Sequence, residues 1–216
     1  MQTAADLAAM HALTYPLIVK PAAEDASIGI DTGAVVDDAA AMVARVRFVW
    51  DKLRQPALVE EFIDGRELNV ALLATSRAAL ETLPPSEVLF NDLAPGAPRI
   101  VTFDAKWVTN SVMYKATPTR CPAVIDAALA DRVREVASSA ARVVGLRDYG
   151  RVDLRVRDEA VFVLEVNPNP DLSHDAGFMR AAAASGRSVT QTVAEILARA
   201  LERARATTPK VLSSGS

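Results

Sequence analysis

Two segments of alternating apolar residues, Tyr149–Val156 (YGRVDLRV) and Ala160–Val166 (AVFVLEV), stand three residues apart and run into Asn167-Pro168-Asn169-Pro170. They read as a β-hairpin. A hairpin with one buried face has little freedom of register, because a one-residue slip turns every side chain to the other side. Matching the apolar faces pairs Val156 with Phe162, Leu154 with Leu164 and Val152 with Val166. It leaves Asp158-Glu159-Ala160 as the turn. The opposite face then carries Asp153 across from Glu165 and Arg151 across from Asn167.

Cross-strand neighbours lie about 5 Å apart, and like charges so placed repel. Two carboxylates at that distance need a cation or a shared proton. Asp153, Glu165 and Asn167 present three oxygen-bearing side chains on one surface, a donor set for a hard divalent ion, magnesium or manganese. The prolines after Asn167 end the ladder at that point. The alternative is a solvated polar face whose acids are neutralised by Arg151 and Arg155.

Composition removes several other classes. The net charge of -3 creates no basic field for nucleic acid, and 5% aromatics leaves no stacking platform for single strands. A single cysteine excludes an internal disulfide and a cysteine-rich metal site, and is compatible with a reducing cytoplasm. No apolar run approaches the ~20 residues of a membrane span, and the first residues do not read as a signal peptide.

Along the chain, a short helix is expected from Ala4 to Leu13 and a strand at 16–20 (PLIVK), followed by a loop of small and polar residues at 21–31. Asp37 or Asp38 caps a helix running to about Leu53. Strands are expected at 57–63 and 67–74, a short one in EVLF, and strand followed by loop over Arg99–Trp107. Helical spacing is strong from Ala123 to Val144, with Ile125, Leu129, Val133, Val136, Ala140 and Val143 inward and Gly145 as the stop. A last helix spans Val189–Ala204, with Val193, Ile196, Leu197, Ala200 and Leu201 inward. Helices and hairpins mix without βαβ regularity, which gives an α+β fold.

Five ordered motifs resemble the ATP-grasp superfamily, closest to the D-alanine–D-alanine ligase group: YPLIVKPAAEDASIG, LVEEFIDGRELNV, FDAKW, YGRVDLRV and LEVNPNPDLSHDAGF. Each is weak alone; their order and spacing carry the signal. The resemblance covers about Tyr15 to Leu201. It implies two α+β lobes with the nucleotide between them: 1–64 as a partial N-terminal lobe, 65–205 as the C-terminal lobe and 206–216 as a tail. The family's usual N-terminal domain is not seen in the sequence. A fragment, a truncated product and a subunit completed by another chain or a homodimer are all compatible with that.

The resemblance also implies roles. Lys20 and Lys106 contact the nucleotide phosphates. Glu24, Ser27 and Gly29 lie in the loop that closes over the triphosphate, with Ser27 also catalytic. Glu60, Glu61 and Ile63 line adenine, and Glu67 binds the ribose hydroxyls. Arg151 stabilises the developing oxyanion beside the metal ligands Asp153, Glu165 and Asn167. The cofactors implied are ATP and Mg2+, with Mn2+ as substitute, and the substrates a small carboxylate and an amine. Two departures stand out. Asp25-Ala26-Ser27 replaces Gly-Ser-Ser, and Asp171-Leu172-Ser173 replaces the glycine and serine segment that holds the second amino acid, which sets D-alanine as acceptor in question. The leading expectation is an ATP-dependent carboxylate–amine ligase acting through an acyl phosphate. A nucleotide-binding remnant without turnover is the alternative, and a hydrolase using Asp153 and Glu165 as acid and base is a third.

Overall fold

Contacts divide the chain into two units in the computed structural model, which describes residues 13–76 and 79–207. One unit takes the described residues up to Gly65 together with Leu89–Pro118; the other takes Arg66–Val88 and Thr119 onward. The second lobe expected over 65–205 thus yields Leu89–Pro118 to the first. The helix expected at Ala4–Leu13 falls, apart from Leu13, outside the described residues.

In the first unit, β1 (Leu17–Pro21), β2 (Val35–Val36) and β3 (Ala57–Glu61) form an antiparallel sheet in the order β2-β1-β3. Helix α1 (Ala39–Phe48) lies against it, and Leu17 and Val19 pack with Met42, Val46 and Val49. The Asp38 carboxylate accepts from the Ala41 amide at 2.8 Å. Such a cap is worth about 1 kcal/mol. The helix continues only as a wider π turn, Val49–Leu53, and stops at Arg54 in the left-handed region (φ 57).

The strand expected over 99–107 is not formed. Thr102 instead caps a short helix, α2 (Phe103–Trp107), by accepting from the Ala105 amide at 3.2 Å, and a second short helix, α3 (Val112–Ala116), follows. The cap, with Asp104 in the first turn, outweighs the β-branched run before it.

The second unit is built on an antiparallel sheet ordered β7-β6-β4-β8-β9. Its strands are β4 (Arg66–Ala74), β5 (Leu80–Thr82), β6 (Ser86–Val88), β7 (Thr119–Arg120), β8 (Tyr149–Arg157) and β9 (Ala160–Asn167). β5 and β6 share one edge of β4, and β8 takes the other. Leu68, Val70 and Leu72 of β4 and Val152, Leu154 and Val156 of β8 face helix α4 (Ala127–Val143) and bury Leu129, Val133, Ala137 and Ala141. Asp126 caps that helix, its carboxylate accepting from the Leu129 amide at 2.8 Å. The other face of β4 places Ala71 and Leu73 against Phe178, Met179, Ala181 and Ala182 of α5 (Gly177–Ala184), a helix the sequence reading left unassigned.

Inward assignments on three elements are corrected. Val143 is 87% exposed because α4 ends there and the chain turns at Gly145 (φ 68). On α6 (Val189–Thr207), Val193, Leu197 and Leu201 face outward while Thr192 is buried and Ile196 joins the α5 cluster. On β9, a bulge between Asp153 and Leu154 of the β8 pairing puts Leu164 out at 45% exposure.

Candidate active-site residues

The hairpin register holds at the candidate residues. Arg151 pairs with Asn167, Val152 with Val166 and Asp153 with Glu165. Beyond the bulge the ladder shifts by one, so that Leu154 opposes Val163 and Val156 opposes Val161, in place of Leu164 and Phe162. The turn contracts to Asp158-Glu159, both with positive φ (48 and 67), the geometry of a two-residue hairpin. A bulge inserts an extra residue and re-aims its neighbours. Here it lets the carboxylate face keep its register while the turn end satisfies its own geometry.

The β4–β8 pairing extends this face. Glu67 lies across from Arg155, Asn69 from Asp153 and Ala71 from Arg151. The same face that buries Ala71 and Leu73 under α5 therefore becomes polar at Asn69, two residues before Ala71. Its acids are compensated by arginine, as the alternative sequence reading anticipated. Arg151 donates to both oxygens of Asp153, at 2.6 Å from Nε and 2.6 Å from Nη2, and lies 3.8 Å from Glu165 Oε1. Asn69 donates to Asp153 Oδ1 at 3.0 Å, and Arg155 to Glu67 Oε2 at 2.7 Å. Asp153 and Arg155 are buried, at 8% and 4% exposure. Burial opposes charge on the Arg151 guanidinium, but its hydrogen bonds to Asp153 and the nearby carboxylates outweigh this and hold it above its ordinary value.

Among the described residues no three His, Cys, Asp or Glu side chains cluster as a metal site. The candidate set has two carboxylates and one amide oxygen. Its donor chemistry fits a hard divalent ion, which needs only one or two carboxylates when phosphates complete the shell. Asn167 is oriented by its own turn: its Oδ1 accepts from the Asn169 amide at 2.8 Å, and an amide oxygen keeps a second lone pair for a cation. Tyr149 steadies that turn by donating to Asn169 Oδ1 at 2.8 Å, with its ring edge-on to Phe178 at 5.7 Å.

The first unit carries the other expected residues. Lys20 on β1 pairs with Glu60 on β3 at 2.5 Å, both side chains partly exposed. Glu61 accepts from the Thr14 amide at 2.9 Å, and Ile63 follows β3. In the 21–31 loop, Glu24 accepts from Gln55. Ser27 is buried in the left-handed region (φ 62), and its hydroxyl donates to the Val101 carbonyl at 2.8 Å, so the side chain serves the loop's shape. Gly29 (φ 74) is required there, since a Cβ would meet Leu53 at 2.6 Å and Pro21 at 2.8 Å. Two anchors of this loop escaped the sequence reading. Arg45 of α1 donates to the Gly29 carbonyl at 2.7 Å and pairs with Asp31 at 2.9 Å, and Trp107 donates to the Ala26 carbonyl at 2.9 Å. Lys106, one residue before Trp107, is exposed on α2.

Other polar residues singled out in the sequence are placed as follows. Burial pushes the Cys121 thiol up, away from nucleophilic form. His174 is exposed beside Asp175, and His11 lies outside the described residues. Asp171 folds onto its own loop: the Ser173 hydroxyl and amide, at 2.6 and 2.8 Å, hold its carboxyl below the usual range. No helix among the described residues is long and apolar enough to cross a membrane.

Comparison with known proteins bears on the family and the fold. A family model described as D-ala D-ala ligase C-terminus matches residues 2–198. Protein y4sG of Sinorhizobium fredii is 37% identical over 186 residues, covering 86% of this chain and 52% of that protein. The D-alanine–D-alanine ligase of Alcanivorax borkumensis is 34% identical over 195 residues, covering 89% of this chain and 57% of that one. The crystal structure of D-alanine–D-alanine ligase from Bacillus anthracis complexed with ATP superposes with a TM-score of 0.69 at 19% identity, over 92% of this chain and 57% of that chain. That likeness speaks for the fold alone. The chain spans about half the length of the curated relatives it matches. With an α+β, ATP-grasp architecture and a family match over nearly its whole length, the chain belongs to the family described as D-ala D-ala ligase C-terminus.

Proposed function

We propose that the chain is the ATP-grasp portion of an ATP-dependent carboxylate–amine ligase, working in the cytoplasm with Mg2+ or Mn2+. The observation that carries this is the polar face of β4, β8 and β9, where Arg151, Asp153, Glu165 and Asn167 share one surface in the register the chemistry needs. In the reaction, a substrate carboxylate oxygen attacks the γ-phosphorus and the bond to the β–γ bridging oxygen breaks, giving an acyl phosphate and ADP. An amine then attacks the acyl carbon and inorganic phosphate leaves, while the amine's proton passes to solvent.

Phosphoryl transfer depends mostly on positioning and on neutralising charge. Asp153, Glu165 and Asn167 would hold a divalent ion, which would supply charge neutralisation at the phosphates. Lys20 exchanges its contact with Glu60 for a phosphate oxygen, and Lys106 adds a second cation. The amides of the loop bearing Glu24, Ser27 and Gly29 face the triphosphate. Glu60, Glu61 and Ile63 line adenine, mostly through backbone groups. Glu67, held by Arg155, receives the ribose hydroxyls. Arg151 stabilises the oxyanion that forms when the amine attacks. The ionised Asp171 disfavours an acceptor whose carboxylate would lie beside it.

ADP release tests this reading. The protein is supplied with ATP, Mg2+ and a panel of amines and amino acids that includes D-alanine. ADP should appear only with a matching carboxylate and amine. Arg151→Ala should slow it about a hundredfold or more, and Glu165→Gln should abolish it. Saturable ATP binding with no ADP from any mixture would instead identify a nucleotide-binding module, and full activity in either variant would refute the residue roles.

A further inference from the structure

The contact between Arg151 and Asp153 has a consequence for how the cation site fills. A guanidinium bound in parallel to both oxygens of a carboxylate satisfies its charge and its geometry together. Here both contacts are 2.6 Å, the carboxylate is 8% exposed and Asn69 holds Oδ1 from the neighbouring strand at 3.0 Å. The same guanidinium lies 3.8 Å from Glu165 Oε1. One fixed cation thus engages one carboxylate of the metal set through both oxygens and sits near the other. A divalent ion approaching Asp153 meets a like charge at a few ångströms and must displace or share a hydrogen bond.

We propose that Arg151 is a latch on the metal site, competing with a free divalent cation for Asp153, so that the metal enters with the nucleotide's phosphates instead of ahead of them. This deepens the reading above and rests on it for the identity of the ligands. The physical sense is simple. A polyphosphate offers Arg151 a second anion, and a guanidinium fork suits phosphate as well as carboxylate. As Arg151 turns toward phosphate, Asp153 becomes available to the ion that the same phosphates carry. Arg151 then has two duties at different times, holding Asp153 first and meeting substrate charge afterwards. Substituting the arginine should therefore improve the binding of metal alone.

Titration with Mn2+ alone, followed by the loss of the free-ion electron paramagnetic resonance signal, reads this directly. Wild-type protein should bind Mn2+ weakly. Arg151→Met, close in length but uncharged, should lower the dissociation constant about tenfold or more. Mn2+ should also raise the melting temperature of Arg151→Met more than that of the wild type. Arg151→Lys keeps the charge but loses the fork, and should tighten Mn2+ binding by a smaller factor; it stands in if Arg151→Met does not fold. Adding Glu165→Gln to either variant should return the affinity toward the wild-type value. Equal dissociation constants in wild type and the Arg151 variants, with Glu165→Gln weakening all of them, would overturn the latch while leaving the metal site standing. If Glu165→Gln changed none of them, the assignment of the metal site itself would fall, and the latch with it.

Discussion

Glu87 shows how this chain handles charge away from the proposed chemistry. It is almost fully buried on β6, yet it accepts from Arg66 at 2.7 and 2.9 Å and from Arg120 at 2.7 Å. Burial works against its ionisation, but the two arginines win and hold its carboxyl below the ordinary value of 4.5. A carboxyl whose folded-state pKa is lowered contributes stability that is complete above the unfolded value and is lost as pH falls through the folded one. Denaturant midpoints of wild type and Glu87→Gln should accordingly differ by a constant amount above about pH 4.5. The gap should close as pH drops further, because a protonated Glu87 resembles glutamine. A gap that widened in acid would mean that the arginines do not govern this group. The face bearing Asp153 differs in kind: there the arginine that compensates the acid is itself proposed to move during the work.

At the scale of elements, the hairpin is the best case of what a sequence discloses and what it withholds. Alternation placed Asp153 against Glu165 and Arg151 against Asn167, and the ladder agrees. It missed the bulge at Leu164, since periodicity cannot tell a three-residue turn from a two-residue turn plus one inserted residue. The turn itself holds two non-glycine residues at positive φ, each an unfavourable conformation. Glu159→Gly should therefore stabilise the protein by about 1 kcal/mol, measured by urea unfolding. The exposed ion pair lost with Arg132, at 2.9 Å, offsets little of that. Destabilisation on this change would show that the turn is not strained. Helix α4 was legible from its spacing, but its start was not: Asp126 caps it at Ala127, four residues after the expected Ala123. The outward stripe of Val193, Leu197 and Leu201 was not, because spacing reports that a helix has an apolar side and not whether a neighbour covers it. Asn69, and the pairing of Arg155 with Glu67, stayed hidden for a related reason: both depend on a strand pairing that joins residues more than eighty positions apart, and no local pattern announces such a pairing.

For the whole molecule, two cores support two sets of residues. The first unit packs β1 and α1 around Leu17, Val19 and Val46 and carries Lys20 and the loop pinned by Arg45, Ser27 and Trp107. The second packs β4 and β8 against α4 and presents the acids on the opposite face. In the second unit the apolar cover of α5 stops at Ala71 and Leu73, and the polar face begins beside it. The motifs could be read in order from the sequence, but the return of Leu89–Pro118 to the first unit could not, since it depends on contacts such as Phe103 to Ile30 that join distant stretches. Calorimetric titration with ATP, with and without Mg2+, tests the central claim most directly. Wild-type protein should bind one equivalent of ATP with a marked dependence on Mg2+, and Asp153→Asn with Glu165→Gln should remove that dependence. Binding to the double variant with undiminished affinity and the same response to Mg2+ would contradict the account.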